Sequence, residues 1–277
     1  MVTDLKQTID SAIDKAMKGG IAGSSAMVIQ VSSLMWLRTT MNYQYANGGT
    51  FRATLKFLYK EGGVLRFYGA FPFAILQGPL TRFGDTAANM GILELTKNSG
   101  LSLPVKTGIA SITSGCVRIL VMPIDAYKTT IQVNGKDGFN ILSNRIKQNG
   151  VRTLWNGSLA AMSATIVGHY PWFLTYNYLN SLIKKDAQDT TFKKLSKQAG
   201  IGFTASVISD TCSNSLRIVK TKRQTYQTNI KYKEVIKEII KKEGIPGILF
   251  RGLDTRILAN GLNGMLFSVM WKVFMDK

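Results

Sequence analysis

Three short markers recur along this chain in the same order and at one spacing, and no feature constrains the fold more. Gln44, Gln132 and Gln224 are separated by 88 and 92 residues. Glu61-Gly62-Gly63, Asn149-Gly150-Val151 and Glu243-Gly244-Ile245 follow in the same register. The third marker is Phe67-Tyr68-Gly69, Trp155-Asn156-Gly157 and Phe250-Arg251-Gly252, its final glycines 88 and 95 residues apart. A fixed period of this length means one supersecondary unit used three times, each copy burying its apolar face against the next. The chain is therefore expected to be one unit, 1–277, of three repeats: 1–100, 101–190 and 191–277.

Each repeat predicts a long helix, a short amphipathic helix and a second long helix. In the first, Ile21 to Gln44 is apolar and rich in small residues and ends at Asn47-Gly48-Gly49. Phe51 to Lys60 sets Phe51, Leu55 and Leu58 against Arg52, Lys56 and Lys60, an amphipathic surface pattern that Gly62-Gly63 should stop. Ala70 to Leu95 follows. The second repeat predicts helices over 105–133, 139–147 and 158–184, the third over 195–226, 232–242 and from 253 onward. The fold class is all-α, and no stretch has the two-residue period of a strand.

At the end of one apolar run stands Pro123-Ile124-Asp125-Ala126-Tyr127-Lys128. Proline removes a backbone donor and can bend a helix there. Asp125 and Lys128 project from nearly one face, as a local ion pair or as one part of a pairing between helices. No run of about 18 uninterrupted apolar residues exists, which argues against simple single spans. Polar residues interspersed over segments this long suit helices with lipid on one side and a wet cavity on the other.

Charge narrows the partners without choosing one. Lysine and arginine number 35 against 16 acids, a net +19, which suits an anionic solute, anionic lipid or nucleic acid. Small-residue helices without a concentrated basic patch argue against nucleic acid. The N-terminal segment, with Asp4, Asp10 and Asp14, reads neither as a secretory signal nor as a transit peptide. Cys116 and Cys212 have no metal-ligand spacing and are expected to be buried thiols. The single histidine, His169, excludes multi-histidine metal chemistry. No metal site is expected and no catalytic residue is nominated; Asp210 and Cys212 lack a base at usable spacing.

Pro123, Asp125, Lys128, Gln132, Glu61-Gly62, Glu243-Gly244 and Phe250-Arg251-Gly252 resemble the threefold signature of the mitochondrial carrier family. Small pairs before each proline position, Ala22/Ala26, Ala110/Ser114 and Gly202/Ser206, fit that family's close-packed helices. The resemblance covers nearly the whole chain. It implies an all-α membrane protein, six transmembrane helices in a threefold pseudosymmetric barrel with three short matrix-side amphipathic helices. It further implies the mitochondrial inner membrane, both termini toward the intermembrane space, no cofactor, and bound cardiolipin at the helix starts after Gly69, Gly157 and Gly252, with Arg251 beside the last.

The same resemblance implies a matrix gate of three ion pairs, braced by Gln44, Gln132 and Gln224. Only part is present. Leu37 and Thr40 stand at the first-helix positions, with Met35 in place of proline, and Arg217 and Lys220 at the fifth-helix positions, with Ser215 in place of proline. One pair survives, Asp125 with Lys220, while Lys128 would face Leu37 and Arg217 would face Thr40. On the opposite side the even-helix positions hold Asn89 and Ile92, Asn177 and Asn180, and Trp271 and Phe274, so no ion pair is expected. Solute contacts would come from Leu76 and Leu80, from Ala164, Thr165 and His169, and from Ala259 and Asn260. Arg82 either lines the cavity or snorkels at the helix surface, and Arg256 is expected nearer the matrix end.

Two readings follow. The first is a divergent carrier that keeps the scaffold, has impaired or lost alternating access, and serves as an accessory subunit of an inner-membrane assembly, a respiratory-chain complex being the expected host. The alternative is a functioning carrier exchanging a small anionic metabolite. The discriminating feature is whether the central cavity is open or filled by side chains such as Trp172, Phe267 and Met270.

Overall fold

The computed structural model describes residues 2–182 and 190–263. Nine helices, apart from two short 3-10 turns, account for nearly all of them: α1 (Val2–Asn47), α2 (Phe51–Tyr68), α3 (Phe71–Leu95), α4 (Leu103–Asn134), α5 (Gly138–Asn149), α6 (Ser158–Leu182), α7 (Thr191–Thr225), α8 (Tyr232–Phe250) and α9, described over 253–263. Trp271, Phe274, Phe267 and Met270 lie outside the described residues.

The short elements follow the glycine punctuation. Gly63, Gly150 and Gly244 all have positive φ (60°, 74° and 71°), a conformation that costs glycine little. Each breaks the amphipathic helix where expected, but one further helical turn follows before the next long helix. In α2 and α8 that turn is continuous with the helix, and after α5 it is the 3-10 segment Val151–Trp155.

Pro123 does not interrupt α4, which is helical from Leu103 to Asn134. The missing N–H of Pro123 frees the carbonyl four residues back, and the Trp155 indole N–H donates to that Ile119 oxygen at 3.0 Å. The departure from helical geometry falls instead in α1, at Leu34 (φ −118°, ψ 19°), beside the position where Met35 replaces proline.

Long helices neighbour one another in a closed order. α3 packs on α1 and α4, and α6 packs on α4 and α7. α9 joins α7 through Asp210, which accepts from Arg256 at 2.5 Å and from Asn260. It joins α1 through Thr255, which donates to Gln44 Oε1 at 2.5 Å, and through Ala259, packed with Leu34 and Leu37. α1, α4 and α7 also touch pairwise, so their C-terminal ends converge.

Those ends are capped across the repeats by three buried arginines. Carbonyls of a helix's last turn lack intrahelical donors and carry partial negative charge. Arg66 donates to Gln132 O and Val133 O of α4, each at 3.0 Å. Arg145 donates to Gln224 O of α7 at 2.8 Å, and Arg251 to Tyr45 O of α1 at 3.5 Å. Glu61 and Glu243 lie 3.0 and 2.7 Å from Arg66 and Arg251. The second repeat has Asn149 instead of glutamate, and there Arg145 meets the Asn229 amide oxygen at 3.4 Å.

Among the described residues, one helix is long and apolar enough to cross a membrane, within Leu103–Asn149. Cys116 and Cys212 are exposed rather than buried; they occupy the outward faces of α4 and α7, where small apolar groups need no protein partner.

Candidate functional site

α1, α3, α4, α6, α7 and the described part of α9 all contribute to a cavity of about 310 Å³. It is not filled by Trp172, which stacks on Tyr176 (centroids 5.0 Å apart) and donates to Ser206 Oγ at 3.2 Å in the α6–α7 contact. Ala74, Ala161, Ala164 and Ala259 are among the residues that face it.

At one end of the cavity Asp125, 8% exposed, organises a polar knot. Its carboxylate accepts from Lys128 Nζ at 2.7 Å, from Lys220 Nζ, and from Gln224 Nε2 at 3.2 Å. Lys128 does not face Leu37; it turns to Gln77 Oε1 at 2.9 Å. Leu37 is fully buried against α9. Replacing a buried ion pair by well-packed apolar side chains is often neutral or stabilising, because desolvation offsets the Coulombic gain. Arg217 likewise does not engage Thr40. Its Nε donates to Ser213 Oγ at 3.2 Å, while Thr40 caps Trp36 O at 2.8 Å.

The three glutamines part company. Gln224 reaches Asp125; Gln132 Oε1 accepts from Asn42 Nδ2 at 2.6 Å, linking α1 to α4. Gln44 turns away to Thr255 and donates to Gly49 O at 3.1 Å. A link from α1 to α7 comes from Tyr45, whose hydroxyl donates to Asn214 Oδ1 at 3.0 Å.

Above this knot the cavity is strongly basic. Arg38, Arg82, Arg118, Arg217 and Arg256 line it. Arg118 pairs with Asp85 at 2.9 Å, and Arg256 with Asp210 at 2.5 Å. Arg82 is both exposed and cavity-lining, which places it toward the open side. Arg256 lines the cavity one turn after Gly252 and reaches Tyr45 in the last turn of α1. His169 is half-buried, edge-on to Phe173 at 6.4 Å, and is not among the lining residues. Leu76 and Leu80 are exposed on the outer side of α3, and Gln77 and Thr81 take the inward positions. Ala164, Thr165, Ala259 and Asn260 do line the cavity.

Sequence reasoning passed over Arg38, Arg118, Asp85 and the Asp210–Arg256 pair. A search for charged residues at helical spacing from Asp125 and Lys128 would have found Arg118, but not its partner, which is contributed by another helix.

At the far end, α1 and α3 are joined by Lys15 and Glu94 at 2.6 Å. Tyr176 and Asn180 of α6 both bond to Gln198 of α7, at 2.7 and 3.1 Å. These links run between neighbours in the wall, not between even helices. The side chain of Asn177 lies outside the described residues, as do those of Ala22 and Ala26. Ala110 and Ser114 are buried at the α3–α4 contact, whereas nothing approaches Gly202 within 4 Å.

The glycines of the third marker serve packing. A Cβ on Gly157 (φ 91°) would sit 3.0 Å from Lys220 O, and one on Gly252 (φ 61°) 3.0 Å from the Tyr45 ring. Arg251 is buried and committed to Glu243 and Tyr45 O; its guanidinium is turned inward, so it is not the surface cation that lipid phosphate would need. Gly69 sits in helical geometry at the end of α2. Among the described residues no group of three potential metal ligands occurs.

Comparison with known proteins places this architecture. The family model described as mitochondrial carrier protein matches residues 101–187 and again 192–276. The chain is 28% identical over 154 residues to the mitochondrial S-adenosylmethionine carrier protein of Mus musculus, covering 56% of this chain and 51% of that one. It is 30% identical over 203 residues to mitochondrial substrate carrier family protein E of Dictyostelium discoideum (65% and 64%). It is 24% identical over 179 residues to mitochondrial thiamine pyrophosphate carrier 1 of Candida glabrata (63% and 58%). The chain thus spans between half and two thirds of these relatives. Members of the family are transporters, not enzymes. The tandem matches take in most of the chain, and the chain belongs to the mitochondrial carrier family.

Proposed function

We propose that this chain is a solute carrier of the mitochondrial inner membrane that exchanges a small organic anion. One observation carries the reading: an open cavity inside the helix wall, lined by seven lysine and arginine side chains against two aspartates. A low-dielectric wall bearing one sign of charge concentrates counter-ions of the other sign. In this reading α1, α3, α4, α6, α7 and α9 are six transmembrane helices of a three-repeat barrel, and α2, α5 and α8 lie on the matrix side. Both termini then face the intermembrane space. The converging ends of α1, α4 and α7 with the Asp125 knot close the matrix side, and the cavity opens oppositely. The named solutes of the relatives differ in charge, so they do not select this one.

Reconstituted liposomes loaded with one organic anion and offered a labelled panel of others test the proposal. Saturable counter-exchange that fails in Asp125→Asn supports it; folded protein that exchanges none of the panel overturns it.

The absence of ion pairs at Asn89, Ile92 and Asn180 favours a second reading, an accessory subunit of an inner-membrane complex such as a respiratory-chain assembly. It requires comigration with a large complex on native gels, and a free monomer under mild extraction refutes it. Cardiolipin at the helix starts after Gly69, Gly157 and Gly252 is common to both readings, through backbone amides rather than Arg251.

A further inference from the structure

The cations in the cavity are not equally satisfied. Arg118 and Arg256 each have an aspartate, and Lys128 and Lys220 share one. Arg38, Arg82 and Arg217 have no carboxylate partner among the described residues. Arg38 reaches only Met27 Sδ, at 3.6 Å, and Arg217 only the Ser213 hydroxyl. These three come from α1, α3 and α7, so no single helix sets their grouping. Arg82, Arg118 and Arg256 all lie close enough to Arg38 to repel it, and Arg118 and Arg256 to repel Arg217, which feels Asp210 only as a carboxylate already bonded to Arg256 and Asn260.

Like charges gathered without counter-ions in a helix wall are costly, and the fold has not spread them apart. With half of the shared lysine pair, the excess approaches four positive charges. A mono- or dicarboxylate neutralises at most two. Guanidinium forks bind phosphoryl oxygens bidentately, which makes arginine the residue for planar oxyanion recognition. Three buried polar atoms of the lining lack a partner among the described residues: Asp85 Oδ1 and Arg118 Nε, whose side chains pair with each other through other atoms, and Asn263 Oδ1. Asn263 Oδ1 is buried without a donor among the described residues, so it can accept from an N–H or O–H of the solute.

We propose that Arg38, Arg82 and Arg217 form a binding site for an organic di- or triphosphate, whose linked phosphoryl groups span the three guanidiniums and whose organic part donates to Asn263. This rests on the anion-carrier reading and narrows it.

Thermal unfolding of the full chain in mild non-ionic detergent, followed by tryptophan fluorescence, tests the site without requiring transport. The probes are inorganic pyrophosphate, tripolyphosphate and citrate at matched ionic strength. Pyrophosphate and tripolyphosphate should raise Tm by about 5 °C at a hundred times Kd, and citrate by much less. Arg38→Gln and Arg217→Gln should each weaken pyrophosphate binding about tenfold or more. Lys147→Gln, an exposed position on α5, should leave the shift unchanged. If either buried variant fails to fold, Arg82→Gln at the exposed rim and Arg38→Lys, which keeps the charge but loses the fork, should still reduce the shift. An equal or larger shift with citrate overturns the phosphate assignment and leaves the anion carrier standing. No shift with any of the three overturns both, and a pyrophosphate shift indifferent to Arg38, Arg82 and Arg217 overturns the site.

Discussion

Replacing Asp125 by asparagine should be the most damaging conservative change in the cavity, and by more than removal of either lysine. Its carboxylate is the common acceptor for Lys128, Lys220 and Gln224. Asp125→Asn leaves two ammonium groups facing each other with one amide between them. Breaking a buried pair by removing one partner costs about 3–5 kcal/mol, and two stranded cations put this variant in the upper half of that range. Lys220→Met leaves Asp125 still held by Lys128 and Gln224, so its cost is closer to that of a charged hydrogen bond, about 1.5–3 kcal/mol. At about 2 °C per kcal/mol, Tm should fall about 8–10 °C for Asp125→Asn and about 3–6 °C for Lys220→Met. The double variant strands one cation instead of two and should fall less than the sum, with a coupling of about 1–3 kcal/mol. Unfolding of the four proteins in one detergent closes the cycle. A loss under about 1 kcal/mol for Asp125→Asn, or a larger loss for Lys220→Met, would refute the shared-acceptor geometry.

Three further outcomes follow from the contacts. Trp155→Phe should cost about 1 kcal/mol by orphaning Ile119 O, and much less in a Pro123→Ala background, where a backbone N–H returns; equal costs in both would break the link. Leu37→Glu, which would supply Lys128 with an acid if the family register held, should instead lower Tm by several degrees, because Leu37 is buried against Ala259; a raised Tm would refute that placement. Gly157→Ala, at φ 91° and 3.0 Å from Lys220 O, should cost about 1–3 kcal/mol in unfolding measurements.

Helix boundaries were legible because glycine and the amphipathic period act locally. Phe51, Leu58 and Gly63 declare a short helix and its end without reference to anything distant. The caps were not legible. Arg66, Arg145 and Arg251 stand 3, 12 and 1 residues before their repeat's third-marker glycine, so no period relates them, yet each reaches the end of the next repeat's first helix. Side-chain length absorbs the difference, and a pattern search has no access to it. The Pro123 contact is of the same kind: a tryptophan 32 residues away supplies the donor that the freed Ile119 carbonyl lacks. Asp125–Lys220 could be paired only through the family's geometry, whereas Asp85–Arg118 had no template at all.

All three pairs at the convergence of α1, α4 and α7 are joined, but by unequal chemistry, and α4 and α7 have further bonds through Gln224, Thr130 and Asn134. α4 and α7 share the Asp125–Lys220 ion pair, α1 and α4 the neutral Asn42–Gln132 bond, and α1 and α7 the neutral Tyr45–Asn214 bond. Neutral hydrogen bonds net about 0.5–1.5 kcal/mol against about 1.5–3 for charged ones. Closure on this side is therefore weaker than three ion pairs would make it, and it is concentrated away from α1, the helix whose backbone also departs from helical geometry at Leu34. A carrier alternates only if its two closed states lie within a few kcal/mol of each other. With amide and apolar residues at the described even-helix positions, a full set of ion pairs at the Asp125 end would hold that end shut. In the carrier reading proposed above, neutral links from α1 to both of its partners let that end open more readily than three ion pairs would, and exchange in liposomes is the outcome that the reading predicts.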